Sequence, residues 1–165
     1  MSTIRVVWGS ATGPTPTASY DAALADANVH NYNLITVSSV VPADPAVERV
    51  GTAPDLGPTG NALTVVQSRE TVPPGSDDPA VAGVGWLRSR SGRGLFYEAA
   101  GRDRIAVRER IRDGLAAGTD LREWTFEDDA TIQLETTAPS PDEHSTAVVV
   151  AAYGRSRSLF AGDEP

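Results

Sequence analysis

Ser38 and Ser39 stand back to back within Asn33-Leu34-Ile35-Thr36-Val37-Ser38-Ser39-Val40-Val41-Pro42, an otherwise strand-like apolar run. A serine pair is common and usually only hydrogen-bonds to nearby backbone. Its weight comes from what the rest of the chain lacks. There is no lysine and no cysteine, and the only histidines are His30 and His144. Thiolate catalysis, cysteine-based zinc sites and a lysine aldimine with pyridoxal phosphate (PLP) are removed together. The histidines lie far apart with no Gly-x-Ser-x-Gly elbow, which argues against a Ser-His-Asp hydrolase. Gly9-Ser10-Ala11-Thr12-Gly13 lacks the lysine and spacing of a phosphate-binding loop and reads as a plain turn. Asp77-Asp78 and Glu127-Asp128-Asp129 read as solvated acidic loops, so no metal site is expected.

The serine pair survives this pruning for a chemical reason. In a strained turn, a serine hydroxyl can attack the carbonyl of the preceding residue and convert the amide to an ester. β-Elimination then cuts the chain, and the dehydroalanine left behind hydrolyses to a pyruvoyl group and ammonia. Such a ketone forms a Schiff base with a substrate amine and draws electrons from its α-carbon, with no lysine required.

Several elements must position that pair. Ile4 to Trp8 is β-rich. Thr15-Pro16 reads as a helix start, with proline at the first helical position. Tyr20, Leu24 and Ala27 then form the buried stripe of the helix, with Asp21 at its edge. Asn28-Val29-His30-Asn31 breaks the helix, and Asn33 to Val41 reads as one strand up to Pro42. Residues 42–60, rich in proline, glycine and aspartate, read as a loop. Leu63–Arg69, Val81–Arg88 and Leu95–Glu98 read as strands, with a hairpin-like arginine turn at 88–94. Arg102 to Ala117 is an amphipathic helix with Val107, Ile111 and Leu115 on its buried face, stopped near Gly118. Glu123–Thr137 and Thr146–Tyr153 read as strands, and the tail from Arg155 as frayed. This pattern indicates a single α+β or layered α/β domain.

The formal charge is −8, with 22 acidic residues against 14 basic ones, all arginine. A net negative surface disfavours nucleic acid, so the arginine turn reads as a solvated hairpin tip. The acid excess suits a cytoplasm of high salt. A GC-rich genome would explain the missing lysines but not the excess of acid. No apolar stretch approaches a membrane span, and Met1-Ser2-Thr3-Ile4-Arg5 has no signal-peptide character, so a cytoplasmic location is expected.

The chain resembles the pyruvoyl-dependent arginine decarboxylase family over nearly its whole length. The residues that carry the resemblance are Gly13-Pro14-Thr15-Pro16, Tyr20-Asp21-Ala22-Ala23-Leu24, Asn31 to Ser39, Gly94-Leu95-Phe96-Tyr97-Glu98 and the small-residue strand Ala147 to Ala152. The Asn-Leu-x-x-x-Ser-Ser block together with the downstream Gly-Leu-x-x-Glu is the specific pair.

The resemblance implies scission between Ser38 and Ser39 of this single domain, giving a β chain of residues 1–38 and an α chain of 39–165 that begins with a pyruvoyl group made from Ser39. Glu98 matches the catalytic acid. Apolar neighbours favour the neutral form of a carboxyl, the form that delivers a proton, and Leu95, Phe96 and Tyr97 offer such surroundings. Asp21 matches the position that receives a substrate guanidinium, which a carboxylate binds through two parallel hydrogen bonds. Leu24, one helical turn on, would pack the aliphatic stem of the substrate, and ordinary core packing is equally consistent with it. Asn33 matches an asparagine that would donate to a developing oxyanion or to substrate. The implied fold is a four-layer αββα sandwich, assembled as a homotrimer with active sites between subunits, so that Asp21 and Ser39 need not belong to the protomer that supplies Glu98. The implied reaction converts L-arginine to agmatine and CO2, feeding polyamine or agmatine metabolism. His30 and Tyr32 depart from the small or aliphatic residues expected before the strand, which leaves another amino-acid substrate, or an uncleaved arginine- or agmatine-binding scaffold, as the alternatives.

Overall fold

The computed structural model describes residues 2–126 and 129–160. Part of the acidic run at 127–129 therefore lies outside the described residues, as does the end of the tail. The elements follow in the order β1 (Thr3–Gly13), α1 (Pro16–Asp26), β2 (Asn33–Thr36), β3 (Val40–Val41), β4 (Ala46–Gly51), β5 (Ala62–Val72), β6 (Ala80–Arg88), β7 (Gly94–Gly101), α2 (Arg104–Asp120), β8 (Thr131–Thr137) and β9 (His144–Tyr153).

The strands form two sheets. One has the order β2-β5-β9-β1-β4 and the other β3-β7-β6-β8. Their facing surfaces are packed with Val6, Val66, Val84, Trp86, Phe96 and Val149, all buried. Helix α1 covers the outer face of the five-stranded sheet through Ala23, Leu24 and Ala27, which meet Val7, Val65 and Val148. Helix α2 covers the other sheet through Val107, Ile111 and Leu115 against Val81, Leu95 and Leu134. The layers run helix, sheet, sheet, helix, which is the αββα sandwich expected. Each fully buried valine, isoleucine or leucine contributes about 1.5–3 kcal/mol relative to exposure.

Local chemistry sets the ends of the helices. The Thr15 side chain accepts from the Ala18 N–H at 3.0 Å, and Pro16 opens α1 at a position whose amide needs no helical partner. Asp103 does the same for α2 through the Ala106 N–H at 2.8 Å. Tyr20 lies beside the buried stripe of α1 rather than in it. Ser19 takes the interior place, fully buried, with its hydroxyl 2.6 Å from that of Thr146.

Several sequence expectations need correction. Residues 9–13 are strand, not turn: β1 runs through them, and their small side chains make room for α1. A Cβ on Gly9 would lie 2.2 Å from the Ala23 carbonyl oxygen, and one on Gly13 would lie 2.6 Å from the Ser19 nitrogen. Residues 42–60 contain β4, an edge strand parallel to β1. Gly118 does not stop α2, which continues to Asp120; it gives the helix a close approach to Leu95. The strand expected over 123–137 begins only at Thr131. The tail does not fray at Arg155, because Ser156 donates to Leu56 and Arg157 exchanges backbone hydrogen bonds with Ala62.

The run from Asn33 to Val41 is also not one strand. β2 pairs in parallel with β5 in the five-stranded sheet, whereas β3 pairs antiparallel with β7 in the other. Val37, Ser38 and Ser39 form the crossing between the two sheets. No helix among the described residues is long and apolar enough to cross a membrane.

Candidate active site

The crossing places the two serines in a tight turn. The Val40 N–H donates to the Ser38 carbonyl oxygen at 2.8 Å, closing a three-residue turn around Ser39. On the upstream side, Val37 donates to Val65 at 3.0 Å. On the downstream side, Phe96 donates to the Ser39 carbonyl at 2.8 Å, continuing the β3–β7 ladder.

That ladder brings a carboxylate to the serine. Glu98 lies opposite Val84 in the β6–β7 pairing, and side chains alternate along a strand. It therefore shares the inter-sheet face with Phe96, while Leu95 and Tyr97 turn toward α2. Ser39 Oγ donates to Glu98 Oε2 at 2.8 Å. On that face Glu98 neighbours Phe96 and interacts with Tyr153 of the facing sheet, whereas Leu95 and Tyr97 point to the other side. The rings of Phe96 and Tyr153 meet edge to face with centroids 6.0 Å apart. Burial, and secondly the charge of Glu98, push the Tyr153 phenol up to about 12. The Tyr153 hydroxyl donates to the Val40 carbonyl at 2.9 Å.

A cavity of about 330 Å³ opens beside the serines, lined by Ser38, Ser39, Leu95, Tyr97, Gly114 and Leu121 among others. Gly114 lets the Tyr97 ring lie directly on α2, since a Cβ at that position would meet the ring. A small amino acid fits this volume. The residues also fit conversion of Ser39 into a carbonyl group: its hydroxyl is held on an acceptor, and the carbonyl it must attack already receives a backbone donor.

The other sequence-selected residues lie elsewhere in this protomer. Asp21 is exposed on α1, on the far face of the five-stranded sheet. Its neighbour Tyr20 donates to Gln67 at 2.7 Å, and the Arg69 guanidinium lies 4.3 Å over the Tyr20 ring. Leu24 is 7% exposed and packs in the cluster beneath α1. Asn33 is exposed at the start of β2, and its side-chain amide donates to the Gly60 carbonyl at 2.6 Å. The structure thus joins Ser39 to Glu98 within one protomer and sets Asp21, Leu24 and Asn33 on the opposite sheet and its helix. Among the described residues, no group of three or more His, Asp or Glu side chains is placed to hold a metal.

Two contributors escaped the sequence reading. Tyr153 ends β9, where its only signal was an aromatic closing a run of small residues. Arg88 opens the arginine turn, for which the sequence suggested only solubility. Its guanidinium donates to the Pro42, Ala43 and Pro45 carbonyls at 3.2, 2.8 and 2.6 Å, and to Gly92 at 2.7 Å. It clamps the chain just downstream of the serine pair. Arg93 and Arg122 lie over the Trp124 ring at 4.7 and 5.4 Å; Arg90, Ser91 and Arg93 at the tip are exposed, so the tip is solvated as expected and Arg88 ties its base.

A serine held on a carboxylate in a tight turn, in a lysine-free chain with an amino-acid-sized cavity alongside, fits enzymes that make a carbonyl cofactor from their own backbone. A family model described as pyruvoyl-dependent arginine decarboxylase matches residues 3–158, and the chain belongs to that family. A relative of that name from Halobacterium salinarum is 51% identical over 164 residues, covering 97% of this chain and 99% of the relative. Another, from Pyrococcus abyssi, is 32% identical over 143 residues, covering 86% and 89%. One from Methanocaldococcus jannaschii is 27% identical, covering 82% and 81%. The family implies a covalent pyruvoyl group rather than PLP or a metal, and the acid excess of this chain accords with the halophilic relative.

Proposed function

We propose that this pyruvoyl-dependent arginine decarboxylase is cut between Ser38 and Ser39, that residues 1–38 and 39–165 form its β and α chains, and that Glu98 is its proton donor. The observation that carries this reading is the 2.8 Å hydrogen bond from Ser39 Oγ to Glu98 in the turn between the sheets. The pyruvoyl group derived from Ser39 supplies the electrophile that takes the substrate amine and the electrons left by CO2.

The rest of the work falls to the side chains of this protein. Glu98 stands beside the position where the substrate α-carbon loses CO2, and its carboxyl delivers a proton there. Tyr97 and Leu121, both exposed in this protomer, give the cavity apolar surface for the substrate. Asp21 receives the substrate guanidinium through paired hydrogen bonds, while Leu24, buried beneath α1, takes the core role that the sequence left open. Asn33 donates to the substrate or to the processing intermediate. Because Asp21 and Asn33 lie on the opposite sheet and its helix, they act from a neighbouring subunit of a homotrimer. The enzyme works in the cytoplasm, and the product agmatine is available to polyamine synthesis.

Intact mass spectrometry of protein purified in high salt tests the reading. Two fragments meeting at the 38/39 junction, the larger with a blocked N-terminus, support it. A single uncut 17.3 kDa species without a phenylhydrazine-reactive ketone would mean a non-enzymatic scaffold. A panel of amino acids assayed for CO2 release tests the substrate: equal or better turnover of histidine, lysine or ornithine sinks the assignment to arginine. Asp21→Asn should raise the KM for arginine far more than it lowers kcat, with active-site titration showing one pyruvoyl group per protomer in both proteins.

A further inference from the structure

We infer that Tyr153 is a positioning residue for self-processing: by holding the Val40 carbonyl, it keeps the Val40 N–H on the Ser38 carbonyl oxygen while that oxygen takes on negative charge. The inference rests on scission at Ser38–Ser39.

The peptide units around Val40 are fixed one after the other. The unit joining Ser39 to Val40 has its carbonyl held by the Phe96 N–H and its own N–H on Ser38, both at 2.8 Å. The next unit, joining Val40 to Val41, is held by the Tyr153 hydroxyl at 2.9 Å. β3 is only two residues long and lies at the edge of its sheet, and Val40 is 44% exposed, so packing alone restrains it little. Ser39 is not among the residues with positive φ, so the turn is of the inverse γ kind, closed by one bent hydrogen bond. Such a turn depends on its neighbours to persist. The Tyr153 ring also packs on Phe96, so one side chain ties the β7 donor and the β3 acceptor into a single unit.

The chemistry needs that unit at one moment. Ser39 Oγ adds to the Ser38 carbonyl carbon, and the carbonyl oxygen becomes an oxyanion facing the Val40 N–H. Collapse breaks the Ser38–Ser39 C–N bond and forms the ester. The net proton transfer runs from Oγ to the Ser39 nitrogen, and no oxidant or reductant enters. A donor already 2.8 Å from the oxygen is the arrangement that stabilises such a charge without reorganisation. With its phenol pushed up to about 12, Tyr153 remains a donor through any pH at which the protein would be handled.

Tyr153→Phe removes the hydroxyl and keeps the ring against Phe96. Fragment appearance after cell-free synthesis in high salt, followed by intact mass, should slow about tenfold, less than the 10²–10³ seen when an oxyanion donor is itself deleted. The hydroxylamine-sensitive ester fraction should fall with it. Wild-type cleavage kinetics in the variant would overturn the inference. So would slow cleavage with accumulating ester, which would place the hydroxyl in the elimination step.

An isosteric check replaces Tyr153 with a polyfluorinated tyrosine, whose phenol ionises in mild alkali. Glu98 is the charged group facing it. Cleavage should decline with rising pH in that protein and not in the wild type; identical profiles would again overturn the inference. A wild-type chain that never cleaves would overturn the proposed scission itself, a result distinct from a failure confined to the Tyr153 comparison.

Discussion

Ser39 and Glu98 lie 59 residues apart in sequence and 2.8 Å apart at Oγ and Oε2. The antiparallel pairing of β3 with β7 produces that meeting, because Val40 stands opposite Leu95 and the next inter-sheet side chain beyond Phe96 is Glu98. The meeting of the Ser39 hydroxyl and the Glu98 carboxylate is therefore set by sheet register, which a one-residue slip would destroy.

Substitutions at the two residues should separate their duties. Ser39→Ala lacks the attacking oxygen and should remain one 17.3 kDa species by intact mass; any cut at 38/39 in that variant refutes the assignment. Glu98→Gln keeps an acceptor for the Ser39 hydroxyl but cannot give up a proton as an acid. CO2 release from arginine should drop by about 10²–10⁴, with fragment formation impaired much less. The reverse pattern would exchange the roles.

Arg88 should matter to stability through geometry as well as charge. Its fork reaches four carbonyls, three of them in the segment after β3. In a Ser39→Ala background, Arg88→Ala should lower the free energy of unfolding by about 2–3 kcal/mol in urea titrations. Arg88→Lys should recover less than half of that, because an ammonium cannot span the same acceptors. Full recovery by lysine would show that only the charge matters.

Alkali should expose Tyr153. Its phenol ionises near the ordinary 10 in the unfolded chain and at about 12 in the folded one. Between those values the unfolded state binds fewer protons, so stability present below pH 10 is lost as pH rises toward 12. The urea midpoint of the Ser39→Ala protein should fall over this window more steeply than that of the Ser39→Ala, Tyr153→Phe double variant. Parallel curves would show that Tyr153 is not the group responsible.

Gly9→Ala places a methyl 2.2 Å from the Ala23 carbonyl oxygen, where backbone rather than a flexible side chain must yield. A loss of about 1–3 kcal/mol is expected in the same urea assay. An unchanged midpoint would mean that α1 is free to shift on β1.

The Thr15-Pro16 helix start and the Val107–Ile111–Leu115 stripe were legible because each depends on short-range pattern, whereas Glu98 was singled out by the family resemblance and not by its own neighbours. The failures share a cause. Glycine in Gly9-Ser10-Ala11-Thr12-Gly13 is a turn signal only if the chain is alone; here α1 lies across the strand, and only small residues let it approach. β4 is mostly exposed at a sheet edge, so its sequence carries no alternation to betray a strand. The unbroken apolar run from Asn33 to Val41 hid a change of sheet, since both halves are extended and only long-range pairing distinguishes them. Arg88 and Tyr153 act through backbone carbonyls more than 40 residues away in sequence, which no local motif encodes.

The placement of β1 determines what a cut at 38/39 does to the molecule. Residues 1–38 contribute β1 and β2, and β1 lies between β9 and β4, both from the other side of the cut. Separating the fragments requires unzipping both edges of an interior strand, so the nicked protein stays together while folded. Unfolding nonetheless changes order, because each protomer of the processed form releases two chains where the precursor releases one. The melting temperature of the cut protein should rise with protein concentration, as mass action dictates for any complex whose parts separate on unfolding.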